Sequence, residues 1–173
     1  MVQPQDRDHP KNSLGPNTPS GTIDTQRDIE VQSAMIIENA KVINAVPDRV
    51  WQITQDIERW PEWTPTVNQL TRLDEGPLRV GSVARIKQPG LPECEWRVTA
   101  LTDGTSFTWT SRVYGITMKA THEVLAIESG TKSVLRLQMH GTLVTLLRPL
   151  ISVAISKSLE RENTALKARC EAS

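Results

Sequence analysis

The run "ITMKATHEVLAI" (116–127) holds the histidine whose setting most invites chemistry. Alternation places Met118, Ala120, His122 and Val124 on one side of a strand, with Lys119, Thr121 and Glu123 on the other. An imidazole is then the single titratable group on an otherwise apolar face. Near a bound carbonyl it can act as general base or hydrogen-bond donor. The plainer role is structural, the ring being held by a neighbouring hydroxyl or backbone carbonyl. Arg112 and Tyr114 have the opposite parity, beside Gly115, where a bulge can turn either one inward.

Other catalytic patterns are missing. Glu95, Asp103, Glu123 and Glu128 form no paired set on a common inward face, and no Ser-His-Asp arrangement or GxxxxGK phosphate loop occurs. Cys94 and Cys170 lie far apart without CxxC or Cys/His spacing, so neither a metal site nor a disulfide framework is expected, and no cofactor is implied. Reduced thiols point to a cytosolic protein.

The neighbours of His122 share its parity. In "EWRVTA" the set Trp96, Val98 and Ala100 points one way; Phe107, Trp109, Ser111 and Val113 follow in the next strand, and Leu135, Leu137 and Met139 in the last. Aromatic rings and adaptable methionines suit a flat or flexible apolar ligand, although an ordinary filled core would use the same residues. Trp96 and Trp109 favour a pocket, since each indole N–H needs a partner once buried.

These strands sit inside a definite order of elements. Residues 1–32 are rich in Pro, Gly, Asn, Ser and Asp and lack aromatics, the composition of a disordered tail; the domain spans 33–173. "SAMIIENAKVINA" reads as a strand and "PDRVWQITQ" as a short helix with Pro47 in its first turn. Asp56 is placed to cap a second short helix, which Pro61 should end or kink. Trp60 and Trp63 would then sit where these helices turn back onto the sheet. About six short strands follow, each bounded by turn residues. In the last thirty residues Leu147, Leu150, Ile151, Ala154, Ile155, Leu159 and Leu166 recur at helical spacing, while Lys157, Glu160, Arg161, Glu162 and Lys167 line the rest. Pro149 should kink this helix or mark where its regular part begins.

The expected fold class is therefore α+β. A curved antiparallel sheet of about seven strands, with two short helices after the first, has a long C-terminal helix packed across it, which leaves a hollow between them unless large side chains fill it. Twenty basic and twenty acidic residues cancel, which gives no electrostatic reason to expect nucleic acid or an anionic membrane as partner. The longest apolar run, "LVTLLRPLISVAI", is too short for a bilayer, and the start of the chain lacks a secretory h-region; a soluble, cytoplasmic protein without stable membrane insertion is expected.

Three stretches carry a resemblance: "VINAVPDRVWQITQDIERWPEWTPTV", "EWRVTALTDGTSFTWTSRVYG" and "THEVLAIESGTKSVLRLQMHG". Over roughly residues 35–170 the chain resembles the START-like, or helix-grip, superfamily (SRPBCC), in its polyketide cyclase/dehydrase-like branch. The resemblance implies an apolar cavity that holds lipids, sterols, polyketides or hormones, and in a few members cyclises or dehydrates them. A hydrophobic small molecule is thus the expected partner, with polyketide cyclisation or dehydration by His122 as the alternative. The ligand-contacting set expected from the sheet is Trp96, Phe107, Trp109, Ser111, Met118, His122, Leu137 and Met139. Trp63 at the rim and Leu147 and Ile151 on the helix complete it. A protein-interaction module is the third class, disfavoured by the lack of a charged or apolar exposed stripe. Oligomeric state is not readable.

Overall fold

A computed structural model describes residues 34–172. The expected tail, 1–32, lies outside the described residues. Seven strands form one sheet in the order β1-β7-β6-β5-β4-β3-β2, antiparallel at every step. They are β1 (Met35–Ile43), β2 (Gln69–Arg72), β3 (Val83–Lys87), β4 (Cys94–Thr102), β5 (Ser106–Val113), β6 (Ile116–Ile127) and β7 (Gly130–His140). Helix α1 (Pro47–Gln55), a 3-10 turn (Ile57–Arg59) and the single-turn α2 (Trp60–Trp63) link β1 to β2. The short α3 (Thr142–Leu146) and the long α4 (Arg148–Glu171) close the chain.

Register converts alternation into rows across the inner face. One row runs Ile37, Leu137, Ala120, Trp109, Val98 from β1 to β4; the next runs Asn39, Leu135, His122, Phe107, Leu101. The second row departs from strict alternation in β4. Ala100, expected beside Trp96 and Val98, is exposed, because a bulge between Val98 and Ala100 shifts the register and hands the inward place to Leu101.

Proline placement also differs from expectation. Pro61 does not end a helix; it stands in the first turn of α2, where its missing N–H leaves no bond unmade. Asp56 precedes the 3-10 turn, but its side chain makes no capping bond. Pro149 occupies the first turn of α4 and so marks the start of the regular helix.

The phase of α4 is set by what it buries. Ile151, Ile155, Leu159, Glu162, Leu166 and Cys170 follow one line at steps of three and four and turn toward the sheet. Leu150 and Ala154 stand about 100° round from Ile151 and Ile155, and both are exposed rather than buried. Asn163, fully buried, donates to Asn39 Oδ1 at 2.9 Å, and Lys41 meets Glu160 at 2.7 Å, so polar bonds fasten the middle of α4 to β1.

At the sheet's other edge Asp74 organises the β2–β3 connection. It accepts from Arg72 Nη2 (2.8 Å), Ser82 Oγ (2.8 Å) and the Val83 backbone N–H (2.8 Å). The Arg72 guanidinium, with these further donors, holds its carboxyl well below the usual range. A depressed folded-state pKa contributes stability that is complete above the unfolded value and fades as pH falls toward the folded one. We expect Asp74→Asn to lower stability at neutral pH and to flatten its decline below about pH 4, as read by denaturant unfolding across an acid series.

Candidate functional site

Between the inner face and α4 lies a cavity of about 90 Å³. Trp96, Trp109, His122 and Leu137 line it from the sheet, Trp60 from α2, and Ile155, Leu159 and Glu162 from α4. Gln88, Leu91, Ile155 and Ser158 belong both to this cavity and to an open groove beside Pro65, Thr66 and Arg161. The mouth therefore lies between the β3–β4 connection, the segment after α2, and the N-terminal half of α4.

His122 is packed among rings. Phe107, directly opposite it on β5, stacks at 4.6 Å and 9°, and Trp60 lies at 5.0 Å. Trp60 is 2 % exposed, edge-on to Trp109, and donates its indole N–H to Thr54 O at 3.1 Å. The proline-flanked turn thus delivers one tryptophan into the sheet-facing cluster, whereas Trp63 is half-buried and packs on Trp60 outside the cavity lining.

A carboxylate from α4 completes the arrangement. Glu162, 8 % exposed, places Oε1 3.1 Å from His122 Nε2. Its Oε2 accepts from Thr66 Oγ1 at 3.1 Å, and Thr66 Oγ1 lies 2.9 Å from Thr64 Oγ1. One buried chain of bonds thereby joins β6, α4 and the segment after α2. With the carboxylate as acceptor, Nε2 carries a proton, and Nδ1 of a neutral ring keeps its lone pair. Nδ1, the indole N–H groups of Trp96 and Trp109, and Ser111 Oγ are buried without a bonding partner among the described residues.

The remaining expected residues are distributed as follows. Phe107 and Met139 are buried in the core, Ser111 is buried, and Met118 and Ile151 are half-buried against it. Leu147 is partly exposed at the α3–α4 junction, and Arg112 and Tyr114 lie at the surface, Tyr114 with φ 49° in the β5–β6 turn. Two site residues escaped the sequence reading. Glu162 was placed on the polar side of the last helix, yet its spacing, three after Leu159 and four before Leu166, sets it on the buried line. Trp60 carried no signal to separate it from Trp63. Among the described residues no group of three or more His, Cys, Asp or Glu converges as for a metal ion.

The Glu162 bonds carry a measurable share of stability. Glu162→Ala strands the imidazole N–H and the Thr66 hydroxyl, and should cost about 1–3 kcal/mol in chemical denaturation. Glu162→Gln, which keeps an acceptor, should lose less.

The fold recurs widely. The Zhui aromatase/cyclase from a Streptomyces species superposes with a TM-score of 0.68 at 14% identity, over 80% of this chain and 94% of that one. A START superfamily protein from Mycobacterium smegmatis gives 0.67 at 16% identity, over 79% and 97%. Norcoclaurine synthase from Thalictrum gives 0.59 at 16% identity, over 79% and 94%. No curated protein sequence is significantly similar to the chain. The family model described as "Polyketide cyclase / dehydrase and lipid transport" matches residues 35–171, from the first residue of β1 to the last of α4. By that match the chain belongs to the polyketide cyclase/dehydrase and lipid transport family.

Proposed function

We propose that the domain binds a small hydrophobic molecule, polyketide- or lipid-like, that carries a hydrogen-bond acceptor and lies between the sheet and α4. The observation that carries this reading is the pair Trp96 and Trp109, whose side chains line the cavity and whose indole N–H groups are buried without protein partners. Buried donors are nearly always satisfied, so two orphans on one apolar wall favour an acceptor brought from outside. A cavity of about 90 Å³ admits only a few heavy atoms. A larger ligand needs the N-terminal half of α4 to move outward. Cys94 and Cys170 remain free thiols, which supports a reducing compartment as its place.

A second reading, cyclisation or dehydration of the bound molecule, is favoured by the His122–Glu162 pair. His122 Nδ1 can take a proton from the carbon beside a ligand carbonyl, the electron pair moving into an enolate whose oxygen the indole N–H groups would stabilise. Glu162 would hold the ring and offset the imidazolium charge. The resulting carbanion equivalent can close a ring onto a second carbonyl, the imidazolium returning its proton to the alkoxide so formed. A second abstraction from the same carbon then expels the new hydroxyl, which takes that proton and leaves as water.

Acetophenone and ethylbenzene share a shape and differ in the acceptor. Trp109→Phe should weaken acetophenone binding about five- to tenfold and leave ethylbenzene unchanged, read by calorimetry. Equal losses for both would remove the acceptor from the proposal. For the second reading, His122→Ala should abolish turnover of a diketone that cyclises by aldol closure while retaining acetophenone binding. Undiminished turnover in that variant would leave the binding role alone.

A further inference from the structure

Apolar side chains crowd the surface at one end of the molecule. Leu146 is 76 % exposed and Leu150 73 %, with Val153 at 55 % and Leu143 and Leu147 partly exposed beside them. Helical geometry gathers them: Leu150, Val153, Ala154, Lys157 and Arg161 fall within an arc of about 100°, on the side of α4 away from Ile155, Leu159 and Leu166. The stripe is apolar in the first turns and cationic in the next. The sequence periodicity predicts Leu150 and Ala154 on the buried line and no exposed apolar stripe; the structure turns both outward.

Charge at this end is one-sided. Residues 141–159, which run through α3 and the first half of α4, include Arg148 and Lys157 and no Asp or Glu. Among the described residues Arg148, Lys157 and Arg161 form no ion pair, and neither does Arg112, which shares a shallow recess with Thr142, Thr145 and Leu146. Arg59, Arg72, Arg85 and Arg136, by contrast, each meet a carboxylate. The balanced total of the chain therefore conceals a local surplus next to exposed leucines.

We propose that this tip docks on an anionic lipid surface. The leucines of α3 and the first turns of α4 sink into the headgroup boundary, and Arg112, Arg148, Lys157 and Arg161 face lipid phosphates. An amphipathic helix with a cationic flank is the form that lies in such an interface. A second copy on the same face is the poorer occupant, since it would bring a second set of cations and no unpaired carboxylate to meet the first. The docking is peripheral: no helix among the described residues is long and apolar enough to cross a membrane. Ala154, Lys157 and Arg161 also line the groove outside the cavity mouth, so the docked tip brings that mouth next to the lipid. The docking is argued from the surface alone and does not depend on what the cavity binds.

Co-sedimentation of the full chain with phosphatidylcholine vesicles, with and without phosphatidylglycerol, tests this directly. Binding is expected to the anionic vesicles, weakening as salt rises, with much less to phosphatidylcholine alone. Lys157→Gln with Arg161→Gln should weaken it about thirtyfold. Leu146→Ser with Leu150→Ser should abolish it while leaving thermal unfolding unchanged, because both side chains are exposed. Absence of any vesicle binding overturns the proposal. So does a concentration-dependent dimer in sedimentation equilibrium that the leucine variant dissolves, which would assign the face to a second copy. Acetophenone binding unaffected by the leucine variant keeps this result separate from the cavity reading.

Discussion

A carboxylate on the terminal helix is buried against an imidazole on the sheet, and this contact constrains much of what surrounds it. Charge and polarity taken out of water must find partners, and removing one of a buried pair leaves the other uncompensated. Glu162 can meet both His122 and Thr66 only if α4 crosses the sheet at one position and one rotation. Shifting the helix by one residue would carry the carboxylate about 100° away and bring Arg161 or Asn163 into its place. Apolar contact alone tolerates such slips; a bonded chain through three elements does not.

The same constraint explains why the interior is not simply filled. A polar pair in an aromatic wall keeps α4 at a distance set by the reach of a glutamate side chain and an imidazole. Trp60, Phe107 and Trp109 close most of the resulting gap by edge and stacked contacts around His122. What remains is a small space with Trp96 and Trp109 among the residues of its wall. The polar bonds that fasten α4 involve Asn39, Lys41 and Arg49 with residues 160–172, so its C-terminal half is held by polar bonds and its first turns by the apolar contacts of Ile151 and Ile155.

Carrier and catalyst need the same things from such a site: exclusion of water, fixed donors and a shaped apolar wall. They differ in whether the bound carbonyl is presented to His122 Nδ1. Holding reacting atoms together already lowers a ring-closing barrier, so the step from binding to turnover is short in this architecture. The fold alone does not make that choice, and its neighbours include an aromatase/cyclase and a norcoclaurine synthase.

Local periodicity determined a great deal. Alternation in 107–113, 118–124 and 135–139 placed His122, Trp109 and Leu137 on one face, and the register confirms that face because side-chain direction along a strand depends only on counting. The helix at 47–55 and the regular start at Pro149 were equally local. Where counting was interrupted, tertiary structure decided. The β4 bulge moved Ala100 out and Leu101 in, and the rotation of α4 selected the line of Ile151, Ile155, Leu159, Glu162 and Leu166. That choice buried Glu162 and exposed Leu150. The pairing of His122 with a residue forty positions later follows from where a whole helix lies on a whole sheet, and no short window of sequence contains that information.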